Sequence, residues 1–181
     1  MLSLNDNLIM KSLQVFKIMH VISWIIFIGL SIKAGALIIS FIVSIFMNEF
    51  ASKNLYLGLD LLNVYNFSVF HYSSIIVLCI LTAILKAYLF YLLIKVFRHL
   101  DVNNPFNLTV AKTITKISYV SFCIGLIAAL AYGYTIWLSQ KVFFAFNWNA
   151  SGFLFMAGVI FIIAFLYKRA VELQAENELT I

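Results

Sequence analysis

Residues 93–119 read LIKVFRHLDVNNPFNLTVAKTITKISY, and their reading decides the fold. The stretch joins two long apolar runs. It carries Lys95, Arg98, Lys112 and Lys116 together with the chain's single proline, Pro105. Turn-forming residues occupy Asp101 to Asn104. Pro105 holds Asn104 extended and stops any helix running into it. Asn107 is expected to cap the next helix, because a short side-chain oxygen there can accept from a first-turn N–H. Phe106 before that cap and Ala111 after it form a weak hydrophobic staple. A basic polar turn between two apolar helices is what a multi-pass membrane protein places on one side of a bilayer.

Composition agrees. The chain has 181 residues, 64% of them apolar and only 10% charged, with a mean hydropathy of +1.04. Soluble domains are about one quarter charged, so these charges are too few to solubilise a globule of this size. The runs predict an all-α, integral membrane four-helix bundle in a single domain over 1–181. Spans are expected at about 18–47, 73–96, 117–139 and 150–167, with an outer loop over 48–72 and a cytoplasmic loop over 97–116. Residues 1–16 read as a short amphipathic lead-in. A signal peptide is disfavoured, since the apolar stretch that follows is longer than an h-region and shows no small-residue cleavage site. The net charge of +5 does not point to direct nucleic-acid binding, because the basic residues sit at span ends. Cys79 and Cys123 lie inside apolar segments and read as packing residues.

Orientation follows from the same charges. Lys11, Lys17, Lys95, Arg98, Lys112, Lys116, Lys168 and Arg169 fall on one side of a four-span layout, and Lys53 and Lys141 on the other. The positive-inside rule then places both termini and the 97–116 loop in the cytoplasm, in a bacterial cytoplasmic (inner) membrane. The aromatic loops containing Tyr56, Tyr65, Trp137, Phe143, Phe146 and Trp148 fit an interfacial belt on the far side.

Within the spans, Gly125, Ala129 and Gly133 recur every four residues and read as a helix-packing stripe. Gly29, Lys33, Ala36, Ser40 and Ser44 share a face of the first span. Cys79, Thr82, Ala83, Lys86 and Ala87 form the small and polar side of the second. Lys33 and Lys86 are the intramembrane cations. A lysine near mid-bilayer costs at least ~2.5 kcal/mol to insert, and no Asp or Glu lies within a span to offset it. Either the long stems snorkel to an interface, or the two ammonium groups form an intramembrane polar site for an anion or lipid phosphate. Asp60, folding inward from the outer loop, is a further candidate partner. His20, His71 and His99 sit near span ends on different sides, so no metal site is expected. No phosphate loop, HExxH or nucleophile elbow is present. The reading is of a protein that is not an enzyme, with no cofactor and no catalytic residue.

The basic end of helix two, the turn, Asn104-Pro105-Phe106 and the capped helix with spaced lysines resemble the YoaS-like multi-pass membrane proteins of unknown function (domain-of-unknown-function family 2975). Residues 28–46, IGLSIKAGALIISFIVSIF, are similar to the first helix of members from Bacteroidetes-type bacteria. Genes of that family often lie beside one for a small helix-turn-helix regulator. The resemblance implies, by association only, a regulatory link to a cytoplasmic helix-turn-helix regulator. The basic loop itself has two readings: it enforces topology and meets anionic headgroups, or it docks a cytoplasmic protein through Arg98, Asn104, Pro105, Phe106, Lys112 and Lys116. The alternatives are a small transporter or lipid- or anion-binding protein using Lys33 and Lys86, and an immunity-type protein recognising a toxin through residues 48–72. The lipid bilayer is a partner in every case, and a homo-oligomer is compatible with all three.

The topology has a direct check. With Cys79 and Cys123 replaced by serine, single cysteines introduced at Asn103 and at Asn54 should react with a membrane-impermeant maleimide from opposite sides. Labelling of Asn103→Cys from the outside of intact cells would reverse the orientation.

Overall fold

The computed structural model describes residues 2–47, 49–56, 58–100, 107–144 and 146–178. It is all-α, with no strand among the described residues. The elements are α1 (Leu2–Phe46), a 3-10 helix (Glu49–Lys53), α2 (Leu62–Phe67), α3 (Val69–His99), α4 (Leu108–Ser139) and α5 (Ala150–Glu178). Four of them, α1, α3, α4 and α5, are long and apolar enough to cross a membrane. All overrun the expected spans. The lead-in over 1–16 is no separate element, because α1 runs unbroken from Leu2. α5 carries the basic pair Lys168-Arg169 and continues to Glu178.

The helices pack in sequence order. α3 lies between α1 and α4, and α4 between α3 and α5; along the backbone α1 meets neither α4 nor α5. The most apolar stretch of each helix shows the consequence. In α3 and α4, 44% and 39% of it is buried inside the protein, against 11% in each of α1 and α5. The two central helices are therefore the more enclosed, and the two outer ones leave most of their apolar surface uncovered by the protein.

Where α3 gives way to α4, Asn107 caps as expected: its side-chain oxygen accepts from the Thr109 N–H at 2.7 Å. Its own N–H donates to the Tyr167 hydroxyl at 3.3 Å, tying the start of α4 to α5. The turn at Asp101 to Asn104, Pro105 and the Phe106 staple lie outside the described residues.

At the opposite end, the stretch between α1 and α3 folds back over the helices. Leu55, Leu61 and Val64 are buried and join Leu37, Tyr72, Ile75 and Ile76 in one apolar cluster. Tyr72 is the hub. Its ring meets Tyr65 edge-on at 5.0 Å, and its hydroxyl donates to Ser44 Oγ at 2.5 Å. Ser40 donates to the Leu55 carbonyl at 2.8 Å. Two of the hydroxyls on the small face of α1 thus hold α3 and the cap. A second cluster, built on Leu89, Leu92, Val96, Val110, Ile117 and Ile124, fills the lysine-rich end.

The small-residue stripe of α4 is used at one end only. A methyl group built on Gly125 would lie 2.7 Å from Leu154 side-chain carbons and 3.1 Å from its backbone nitrogen. α4 and α5 therefore approach here as closely as glycine permits. Gly133 meets nothing within 4 Å, and neither does Gly29 of α1. Spacing gave all three the same weight, but only Gly125 faces a neighbouring helix.

Gly125→Leu should lower the thermal midpoint in detergent by the equivalent of about 1–3 kcal/mol, the usual penalty of overpacking. Gly133→Leu should leave it within error. Equal effects would mean that α4 and α5 do not meet at Gly125.

Candidate functional site: an intramembrane cavity with two lysines

Lys86 falls near the middle of the 31-residue α3. It lies on the side of that helix where Cys79, Thr82, Ala83 and Ala87 are buried. Small neighbours leave space beside the lysine stem. The Thr82 hydroxyl is already committed, donating to the Cys79 carbonyl at 3.0 Å. The Lys86 ammonium lies over the ring of Phe153 on α5, 4.6 Å from its centroid. Such a contact is worth about 0.5–2 kcal/mol, which does not cover the ~2.5 kcal/mol or more needed to hold a lysine at this depth.

Lys33 comes from the other side. It lies on α1, some 13 residues before Phe46, or about 20 Å of helix at 1.5 Å per residue. Lys33 and Lys86 line one cavity of about 330 Å³. Leu30 and Leu37 of α1, and Cys79, Thr82 and Ala83 of α3, form its walls. Tyr56, Gly58 and Leu59 from one end loop and Phe146, Asn147 and Trp148 from the other complete it. The cavity therefore runs from the middle of the apolar layer toward the loop-capped end. Its volume falls at the low end of the range typical of small-molecule sites.

No Asp or Glu lines this cavity among the described residues. Asp60 is not the missing partner. It is exposed, and its carboxylate accepts from the Leu62 N–H at 2.9 Å, just ahead of α2. An aspartate readily bonds the backbone two residues on in this way. Arg169 and Glu172 form an ion pair at the far end of α5, remote from the cavity.

Two loop residues at the cavity, Asn147 and Trp148, were not read as site residues from the sequence. Trp148 is buried, where an interfacial ring was expected. It packs edge-on against Phe146 at 4.5 Å, and its indole N–H has no hydrogen-bond partner among the described residues. Asn147 beside it accepts from the Asn149 N–H at 2.9 Å and shapes the turn into α5, where Asn149 adopts φ 50°. The asparagine side-chain amide of Asn63 donates to the Phe143 carbonyl at 3.2 Å and links the two end loops.

The remaining candidates separate. Arg98, Lys112 and Lys116 are exposed at the opposite end. Asn104, Pro105 and Phe106 lie outside the described residues, so the docking surface expected there is described only in part. Each histidine has a partner, two of them within one helical turn and one across α3 and α4. His20 Nε2 accepts from the Trp24 indole at 3.0 Å, His71 Nδ1 pairs with the Tyr134 hydroxyl at 2.6 Å, and His99 Nδ1 lies 2.8 Å from the Lys95 carbonyl.

Removing the buried charge isolates its cost. Lys86→Met keeps most of the stem volume and should raise stability in detergent by about 0.5–2 kcal/mol, the insertion cost less the ring contact. A destabilised Lys86→Met protein would show that the ammonium already has a stronger partner than Phe153.

Comparison with known proteins gives one match. The family described as "Protein of unknown function (DUF2975)" matches residues 62–181. The chain belongs to that family. The match covers α2 to α5 and leaves α1, with Lys33, outside it. No curated protein and no solved structure matches.

Proposed function

We propose that this DUF2975 protein is a non-enzymatic, membrane-embedded binding protein that holds an acidic ligand between Lys33 and Lys86. One observation carries the reading: lysines from two different helices line the same cavity, and no carboxylate lines it with them. Two ammonium groups sharing a low-dielectric space repel one another. An anion between them removes that repulsion and offsets the desolvation of Lys86, which is half-buried, while Lys33 is exposed on α1. Snorkelling accounts for Lys86 less well. Its ammonium lies over a ring of α5 inside the helix assembly, and about 20 Å of helix separates it from the α3 terminus at His99.

The cavity closes with loop residues at one end, so the ligand is held and sensed rather than passed through. Binding would draw α1 toward α3 and the loop cap, because those elements supply the walls. A role in signalling across the bacterial cytoplasmic membrane is compatible with this. The regulatory partnership implied by the family resemblance gains no separate support from the fold.

The experiment is native mass spectrometry of protein extracted mildly from its own membrane. Wild type should carry an acidic adduct that Lys33→Met/Lys86→Met lacks, with both proteins folded by circular dichroism. The same adducts at the same occupancy on both would overturn the assignment.

A further inference from the structure

We propose a second anion site at the opposite end of the molecule, where the face of α4 that carries Lys112 and Lys116 binds an anionic phospholipid and prefers one with two phosphates. It is independent of the Lys33 and Lys86 reading, since none of those residues takes part.

Two grooves flank one ridge. Between α3 and α4 lies a groove of about 370 Å³, lined by Lys95, Lys112 and Lys116 together with Tyr88, Tyr91 and Thr109. On the other side of the ridge a groove of about 450 Å³ is lined by Leu108, Ala111 and Tyr119, by Lys168 of α5, and again by Lys112 and Lys116. The two shared lysines are one helical turn apart, about 6 Å along the axis. Like charges at that spacing destabilise a helix. Each groove adds a further lysine from a different helix, Lys95 on one side and Lys168 on the other. Three helices thus bring four ammonium groups to one face, and no carboxylate lines either groove among the described residues.

The chemistry that fits is a pair of phosphates, one on each side of the ridge. A membrane source is favoured over a free phosphate because the second groove has apolar walls in Leu108, Ala111 and Tyr119 that suit an acyl chain. Both grooves also sit where the helices leave the apolar layer. Basic pockets between spanning helices at that depth hold acidic headgroups.

The test uses the full-length protein in phosphatidylcholine nanodiscs. These are doped at equal total charge with diphosphatidylglycerol or with phosphatidylglycerol, and retained lipid is read by native mass spectrometry. Diphosphatidylglycerol should be retained more strongly. Its binding should weaken about thirty-fold in Lys112→Gln/Lys116→Gln, at roughly one unit of headgroup attraction per lysine. Lys112→Arg/Lys116→Arg should keep it, and so should Lys53→Gln/Lys141→Gln at the other end. Unchanged retention in the glutamine variant overturns the site. Equal retention of the two acidic lipids overturns the preference for two phosphates. Displacement of the lipid by micromolar inorganic pyrophosphate, or capture of a soluble acidic protein in its place, overturns the lipid as occupant.

Discussion

A backbone amide in hydrocarbon has no water to bond, and most of this structure follows from that. Each apolar run must close its hydrogen bonds within itself, which makes it a helix. The run can break only where the chain reaches the interface or is covered by protein. Here the breaks fall ahead of Asn107, at the folded cap between α1 and α3, and at the aromatic loop before α5. Each is stitched by side chains where the backbone is free. Asn107 caps α4, Asp60 accepts from the Leu62 N–H at the start of α2, and Asn147 closes the turn ahead of α5.

Lipid also removes the hydrophobic drive that would press helices together, so packing depends on shape and a few polar contacts. The most extensive of these contacts is between α4 and α5. Gly125 lets α5 come close, and the Ser118 hydroxyl donates to the Ala157 carbonyl across the same contact at 3.1 Å. α1 is held to α3 and the cap by Ser40 and Ser44. Because α1 and α5 do not meet along the backbone, the row of helices leaves room beside α3. Lys86 occupies that room.

Charge is therefore what distinguishes the two ends. Toward the loop-capped end, the two cations share a cavity walled by rings and small residues. At the other end, four lysines stand on one open face with apolar and tyrosyl walls. In both places no carboxylate lines the cavity or grooves among the described residues, and the complement is left to a ligand or to the bilayer.

Much of this was legible in the sequence. Apolar run length fixes four spanning helices, the distribution of Lys and Arg marks one end, and Asn107 announces its own cap, because each depends on residues close together in the chain. The polar side of α3, from Cys79 to Ala87, was likewise visible as helical spacing. What the sequence left open depends on contacts between distant segments. Spacing could not separate Gly125 from Gly133, since both have the same local environment and only one faces α5. It offered Asp60 as a partner for an intramembrane lysine, whereas the folded loop turns that carboxylate to its own backbone. It left Trp148 in an interfacial belt, although the chain folds it inward. Above all, the meeting of Lys33 with Lys86 joins residues 53 positions apart on two helices. The register between α1 and α3 decides it, and that register is set by side chains such as Tyr72 and Ser44 fitting together across the interface, which no local pattern encodes.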